Sequence, residues 1–259
     1  MTALLLDKNG PVATLTINRP AQRNILGEPG DGALFAAAID DINADPAIRC
    51  VILTGAGAVF SAGGNVKAMQ DKTGLFAGSP QDITAGYQRD IHGVVSALWR
   101  IAVPVIAAVN GAAVGLGNDV AGLADIRIAA DTAVFSVPFL KLGLVPGDGG
   151  SWLLPRLIGY SRAAELLFTA DTIDAATALR WGLVSHVVPG AVLMEEARGL
   201  AVSIARQPSG VLRQTKALMR QGMTSDFATV MTASAEAQGQ AHASPDHAAA
   251  LAAYFAKRK

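Results

Sequence analysis

Two stretches of this chain are built to bring bare backbone N–H groups close to a ligand. They are Val59-Phe60-Ser61-Ala62-Gly63-Gly64-Asn65-Val66-Lys67 and Asn110-Gly111-Ala112-Ala113-Val114-Gly115-Leu116-Gly117-Asn118-Asp119. Each follows an apolar, strand-like run and leads into a helix-like one. Small residues at both bends let the main chain approach a bound group closely. Amides that converge at helix starts suit negative charge developing on an oxygen. The chemistry suggested is a reaction through an oxyanion, before any side chain is considered.

Other residue types offer less. Gly115-Leu116-Gly117 is only a fragment of a dinucleotide fingerprint, because Val120 stands where the third glycine belongs. Ser61 has no His/Asp pair in a pattern that would activate it. His92 falls on a helix-like stretch and His186 in a strand-like one, and both read as packing or surface residues. His242 and His247 lack a third ligand at metal spacing, so no metal site is expected. Asp125 and Asn110 read as braces of the fold. The single cysteine, Cys50, sits in an apolar run and reads as core, and one cysteine permits no intrachain disulfide.

The elements that must hold these loops follow from periodicity. Residues 11–18 alternate apolar and polar, as a half-buried strand would. Residues 49–54, 103–109 and 126–129 are further strand-like runs. Residues 31–44, 84–100, 116–123 and 151–158 have helical character, with Asp45-Pro46 stopping the first. The alternation favours an α/β core with mainly parallel strands. The polar, glycine-containing stretch 67–80 reads as a mobile loop over a site. After about Pro189 no strand is evident. Residues 191–206, 208–221, 226–241 and 245–257 all read as helices, rich in alanine and suited to docking against another subunit. The division expected is 1–190 as core and 191–259 as a helical oligomerisation region.

The chain has 259 residues, of which 51% are hydrophobic and 16% charged. A large core and some surface buried between subunits follow from that balance. Lys plus Arg and Asp plus Glu are 21 each, which gives no reason to expect nucleic acid or an anionic membrane as partner. The most apolar window, residues 101–117, is interrupted by proline, asparagine and glycine, and falls short of the ~20 residues that span a bilayer. The N-terminus does not read as a signal peptide. A cytoplasmic location is the expectation.

The two loops, in their order and separation, resemble the crotonase superfamily of enoyl-CoA hydratases and isomerases. Arg19-Pro20-Ala21-Gln22-Arg23-Asn24, Leu53-Thr54-Gly55-Ala56-Gly57, Phe60-Ser61-Ala62-Gly63-Gly64 and the run from Pro104 to Gly111 carry the resemblance. Ala124-Asp125-Ile126-Arg127-Ile128-Ala129, Gly143-Leu144-Val145-Pro146 and Ala178-Leu179-Arg180-Trp181-Gly182-Leu183-Val184 continue it. The order of these landmarks, more than any one of them, makes the signal. The resemblance implies an α/β fold, a crotonase-type spiral of ββα units with a C-terminal helical trimerisation region. It implies an acyl-CoA thioester substrate, no cofactor beyond the coenzyme A that the substrate carries, and a homotrimer or dimer of trimers.

The resemblance also assigns roles. By motif position the thioester oxygen would lie between the N–H groups of Ala62 and Leu116. Asp119 stands where many hydratases of the family have a glutamate, one methylene longer; its other reading is a capping or solvated aspartate. The second hydratase glutamate would fall at Phe139, which cannot move a proton and would wall an acyl pocket with Leu142 and Trp152. Asp148 is a nearby acid, one position after the place, Gly147, where some isomerase-like and dehalogenase-like members carry one. It reads equally as a second carboxylate or as the cap of the helix near Ser151. Backbone at Arg23, Asn24, Ile25 and Gly64 would meet coenzyme A, with Arg23 on phosphate and Lys257 reaching a neighbouring subunit's coenzyme A. Hydration of a 2-enoyl-CoA is the first reading and double-bond isomerisation the second. A non-catalytic acyl-CoA binder is the rival from outside enzymology.

Overall fold

The computed structural model describes residues 2–256. The described strands, in chain order, are β1 (Leu4–Asn9), β2 (Val12–Ile17), β3 (Cys50–Gly55), β4 (Val105–Val109), β5 (Ala113–Val114), β6 (Ile126–Ala130), β7 (Val134–Ser136), β8 (Thr172–Asp174) and β9 (His186–Val188). The α-helices are α1 (Asp31–Ala44), α2 (Val66–Asp71), α3 (Pro80–Gly86), α4 (His92–Trp99), α5 (Leu116–Gly122), α6 (Gly150–Ile158), α7 (Tyr160–Thr169), α8 (Ala175–Trp181), α9 (Leu193–Ala205), α10 (Ser209–Gly222), α11 (Phe227–His242) and α12 (Pro245–Ala256).

The main sheet runs β1-β2-β3-β4-β6-β9. Only the β1–β2 hairpin is antiparallel; every other pairing in it is parallel. Strand β3 is buried along its whole length, and so is β4. That burial is why their sequences, Cys-Val-Ile-Leu-Thr-Gly and Val-Ile-Ala-Ala-Val, show no polar alternation. A smaller sheet, β5-β7-β8, stands beside it. Ser61, on the loop that follows β3, forms a parallel bridge with Ala113 of β5: its N–H donates to the Ala112 carbonyl and its carbonyl accepts from Val114.

The stretch read as one helix over 84–100 is interrupted. Residues Tyr87–Ile91 form a π-helical turn between α3 and α4. Residues 67–80, read as a mobile loop, fold instead as α2, a short 3-10 turn (Gly74–Phe76) and the start of α3. Asn65 caps α2 by accepting the Ala68 N–H, and Ser79 with Asp82 forms a capping box on α3. These local caps hold short helices that polar composition hides.

No strand follows β9 among the described residues. Helix α9, however, packs on β2, β3, β4 and β6 with Ala197, Ala201 and Ala205 buried. The core therefore continues past the division at 190, to the end of α9. Helices α10, α11 and α12 are different: among them only Lys216 is buried. Its ammonium donates to the Val103 carbonyl and pairs with Asp125 at 2.7 Å.

Candidate active site

The two glycine-rich loops meet because the Ser61–Ala113 bridge ties them. Gly63 has φ +81°, and a Cβ there would collide with the Val114 carbonyl oxygen. A Cβ at Gly117 would likewise run into the Ser61 carbonyl. Only glycine permits this approach. It brings the Gly63–Gly64 peptide beside the start of α5, where the Leu116 nitrogen is 3.1 Å from the position a Gly63 Cβ would take.

The donors at this junction differ from those expected. The Ala62 N–H is consumed: it donates to the Arg23 carbonyl at 2.9 Å. The Gly63 N–H donates to Ser61 Oγ, whose own hydroxyl donates to the Asn24 carbonyl. Gly64 and Leu116 have no internal partner for their amides. Ala62 is thus corrected to Gly64. The reason is that Ala62 serves the loop itself, pinning residues 23–24 in their left-handed conformation, and the next free amide lies two residues on. Leu116 keeps its place as the first residue of α5, whose opening N–H groups have no carbonyl ahead of them.

Two carboxylates lie close by. Asp119, on α5, is 1% exposed. Its Oδ2 accepts the Gly150 N–H at 2.9 Å and its Oδ1 accepts from Asn118. Gly150 must be glycine, because a Cβ would stand 2.6 Å from Asp119 Oδ1. Asp148 lies two residues before Gly150 and is buried, and its Oδ1 has no hydrogen-bond partner. Helix α6 begins at Gly150 without any side-chain cap. The capping reading of Asp148 is therefore excluded, and its carboxylate is left free for something else.

Burial dominates the electrostatics. It pushes Asp148 up to about 6, with His92 pulling slightly the other way. It pushes Asp119 up to about 7, helped by the charge on Asp148 and opposed by the Asn118 and Gly150 hydrogen bonds. Asp148 ionises first, and its charge then holds the proton on Asp119. The pair releases its protons in two steps near neutrality.

Two residues without a sequence signal complete the site. His92, at the start of α4, donates from Nε2 to the Gly147 carbonyl at 2.9 Å, bracing the Asp148 loop. Tyr87, in the π-helical turn, packs edge-on to His92 and to Phe76. Burial, then the Asp148 charge, raises its phenol. Both lie some sixty residues before Asp148 in the chain, and only the fold reveals them.

The remaining predicted residues divide. Leu142 lines a cavity of about 600 Å³ together with Val66, Met69, Phe76, Ile83 and Tyr87. Phe139 is buried with its ring 3.6 Å from where a Cβ of Gly115 would be, and is not part of that cavity's lining. Trp152 is a correction. It faces the other side of α6, edge-on to Trp99 at 5.6 Å with Arg156 stacked at 4.2 Å, and shares no wall with Leu142. Helical periodicity explains this: Gly150 faces Asp119, and a residue two positions on points elsewhere. Asn24 is a second correction. It is fully buried, its amide donates to Arg19, its carbonyl accepts from Ser61, and its side chain bonds Arg19, Ala56 and Val59. Nothing on it is left for coenzyme A. Arg23 keeps an exposed guanidinium and Ile25 is half-buried. Lys257 lies outside the described residues.

The family model for enoyl-CoA hydratase/isomerase matches residues 7–259. The chain belongs to the enoyl-CoA hydratase/isomerase family. Within the family it is 37% identical over 258 residues to a crotonyl-CoA hydratase of Syntrophomonas wolfei, covering 99% of this chain and 96% of that one. It is 36% identical over 247 residues to a 1,2-epoxyphenylacetyl-CoA isomerase of Escherichia coli, covering 95% and 93%. The crystal structure of an enoyl-CoA hydratase from Bacillus anthracis superposes with a TM-score of 0.92 at 31% identity, covering 99% and 97%. The crotonase fold implied by the seven landmarks is thus the fold of this chain.

Proposed function

We propose that this enoyl-CoA hydratase/isomerase family member adds water across the double bond of a 2-enoyl-CoA. One observation carries the reading: two buried carboxylates, Asp119 and Asp148, hold protons unequally beside two unpartnered amides. The thioester oxygen accepts from the Gly64 and Leu116 N–H groups. Ionised Asp148 takes a proton from water as the water oxygen bonds Cβ. The π electrons shift to Cα and onto the thioester oxygen, giving an enolate that the amides stabilise. Protonated Asp119 then delivers its proton to Cα, and the net change is one water added. The next turnover requires the proton gained by Asp148 and lost by Asp119 to be redistributed between them. Each amide of such a pair typically contributes ~3 kcal/mol to the transition state. Positioned acids and bases typically add 10²–10⁴-fold each. The chemistry draws on proton transfer alone, and the only coenzyme it needs is the one the substrate carries.

Isomerisation is the second reading, favoured by Phe139 and by the isomerase among the relatives. One acid would then carry a proton between two carbons. Mass spectrometry of 2-enoyl- and 3-enoyl-CoAs incubated with the wild type, Asp119→Asn and Asp148→Asn separates the readings. Hydration adds the mass of one water and needs both acids. Unchanged mass with altered retention, surviving in one variant, means isomerisation. Full activity in both variants removes the carboxylates from the mechanism. Coenzyme A binding without turnover points to a non-catalytic binder.

The setting fits acyl-CoA metabolism in the cytoplasm, and no described helix is long and apolar enough to cross a membrane. Phe227 on α11 and Phe255 on α12 are 80% and 60% exposed, which supports assembly into a homotrimer or a dimer of trimers.

A further inference from the structure

The cavity beside the carboxylates is attached to the chemistry at two points. Met69 is one: its Cε is 3.1 Å from where a Gly64 Cβ would be, so this wall begins at the free Gly64 amide. Tyr87 is the other: its ring is 3.8 Å from the same position on Gly147, and it feels the Asp148 charge. A substrate whose thioester oxygen sits at Gly64 and whose reacting carbons face Asp148 must send the rest of its acyl group into this space. The walls come from four segments: α2, the 3-10 turn, α3 with the π-helical turn, and the 142–144 turn. They are mostly apolar and include no carboxylate. Leu142 and Val66 stand about half exposed, at 47% and 51%, as they would on a surface awaiting an apolar occupant.

A crotonyl group would place one methyl group beyond its double bond. That leaves most of a cavity of about 600 Å³ without an apolar partner. We infer that the acyl group this site takes is bulky and apolar, a medium-length chain or an aryl group beyond Cβ, with the Met69–Ile83–Tyr87 wall setting the preference. The inference rests on the acyl-CoA reading of the site and on the Gly64 amide as its anchor. It concerns substrate class, whichever of the two reactions follows.

The test is a chain-length series on the intact enzyme. kcat/KM is measured for trans-2-enoyl-CoAs from crotonyl to dodecenoyl, and for cinnamoyl-CoA. In parallel, calorimetry follows binding of the saturated butyryl-, octanoyl- and dodecanoyl-CoAs, which carry no double bond to hydrate or shift. Burying a methylene is worth about fourfold at best, so the four extra methylenes of octenoyl-CoA set a ceiling of about 250-fold over crotonyl-CoA, and with partial burial an advantage of about thirtyfold is expected. Octanoyl-CoA should bind more tightly than butyryl-CoA in the same sense. Ile83→Trp, which fills the cavity, should cut the octenoyl-to-crotonyl ratio at least about tenfold. Equal binding of butyryl- and octanoyl-CoA, or a maximum at crotonyl-CoA, overturns the inference. Tight octanoyl-CoA binding with no turnover of any thioester would instead sink the hydratase and isomerase readings while leaving this one standing.

Discussion

In the hydration proposed above, Asp119 and Asp148 make opposite demands of pH. Asp148 must be ionised, which needs pH above about 6, while Asp119 must keep its proton, which needs pH below about 7. The expected kcat/KM profile is therefore a narrow bell between those values, and a flat profile from pH 5 to 9 would break the assignment. The same shifts cost stability. An aspartate raised in the folded state binds its proton more tightly there than in the unfolded chain. Stability is thus complete below the ordinary value near 3.8 and falls as pH rises through about 7. Asp119→Asn keeps the oxygen that accepts the Gly150 N–H and removes the charge. It is expected to be more stable than wild type at pH 8 by about 2–4 kcal/mol, with little difference at pH 4. Urea unfolding at the two pH values measures this, and a variant less stable at pH 8 would contradict it. The place of Asp119 on α5 was legible in the sequence because its motif is local. The donor at position 64 was not, since which amide a glycine loop spends on itself depends on Arg23, some forty residues away.

At the level of elements, the site depends on how α5, α6 and the π-helical turn meet. Single-turn π segments often mark functional positions. Here the turn sets Tyr87 against the cavity and precedes His92, the residue that braces the Asp148 loop. His92→Ala removes both the hydrogen bond to Gly147 and the positive influence on Asp148, so the low-pH limb of the bell should move upward. His92→Gln offers a donor without the charge, and should recover kcat while leaving the limb displaced. An unmoved limb in both variants would mean that His92 serves stability alone. Gly150→Ala should push Asp119 aside, costing about 1–3 kcal/mol of stability and far more in turnover. Denaturation and kinetics on one preparation compare the two losses. Helices α1, α5 and α6 could be read from periodicity to within a residue or two. The π-helical turn could not, because its apolar spacing matches an ordinary helix. The short α2 was hidden because side-chain caps, and not an apolar stripe, define it.

For the whole molecule, parallel strands with continuous apolar sequence announced the sheet, and the strand-like run at His186 is β9, whereas the three-residue strands β7 and β8 are too short to carry a pattern. The C-terminal helices were legible as helices, but not that α9 closes the core, that α10 is anchored to it through Lys216, and that α11 and α12 stand off it. Their exposed apolar faces predict association. Light scattering should give the mass of an oligomer, and Phe227→Asp with Met231→Asp should reduce it without unfolding the sheet. A monomeric wild type at micromolar concentration would refute this. The backbone bridge at Ser61 has one more consequence. It locks the amides of Ser61 and Val114 between two loops, while those of Gly64 and Leu116, a few residues away, are spoken for by nothing. Deuterium uptake in the resting protein should therefore be patchy on the scale of single residues, fast at Gly64 and Leu116 and slow at Ser61 and Val114. A thioester analogue should slow Gly64 and Leu116.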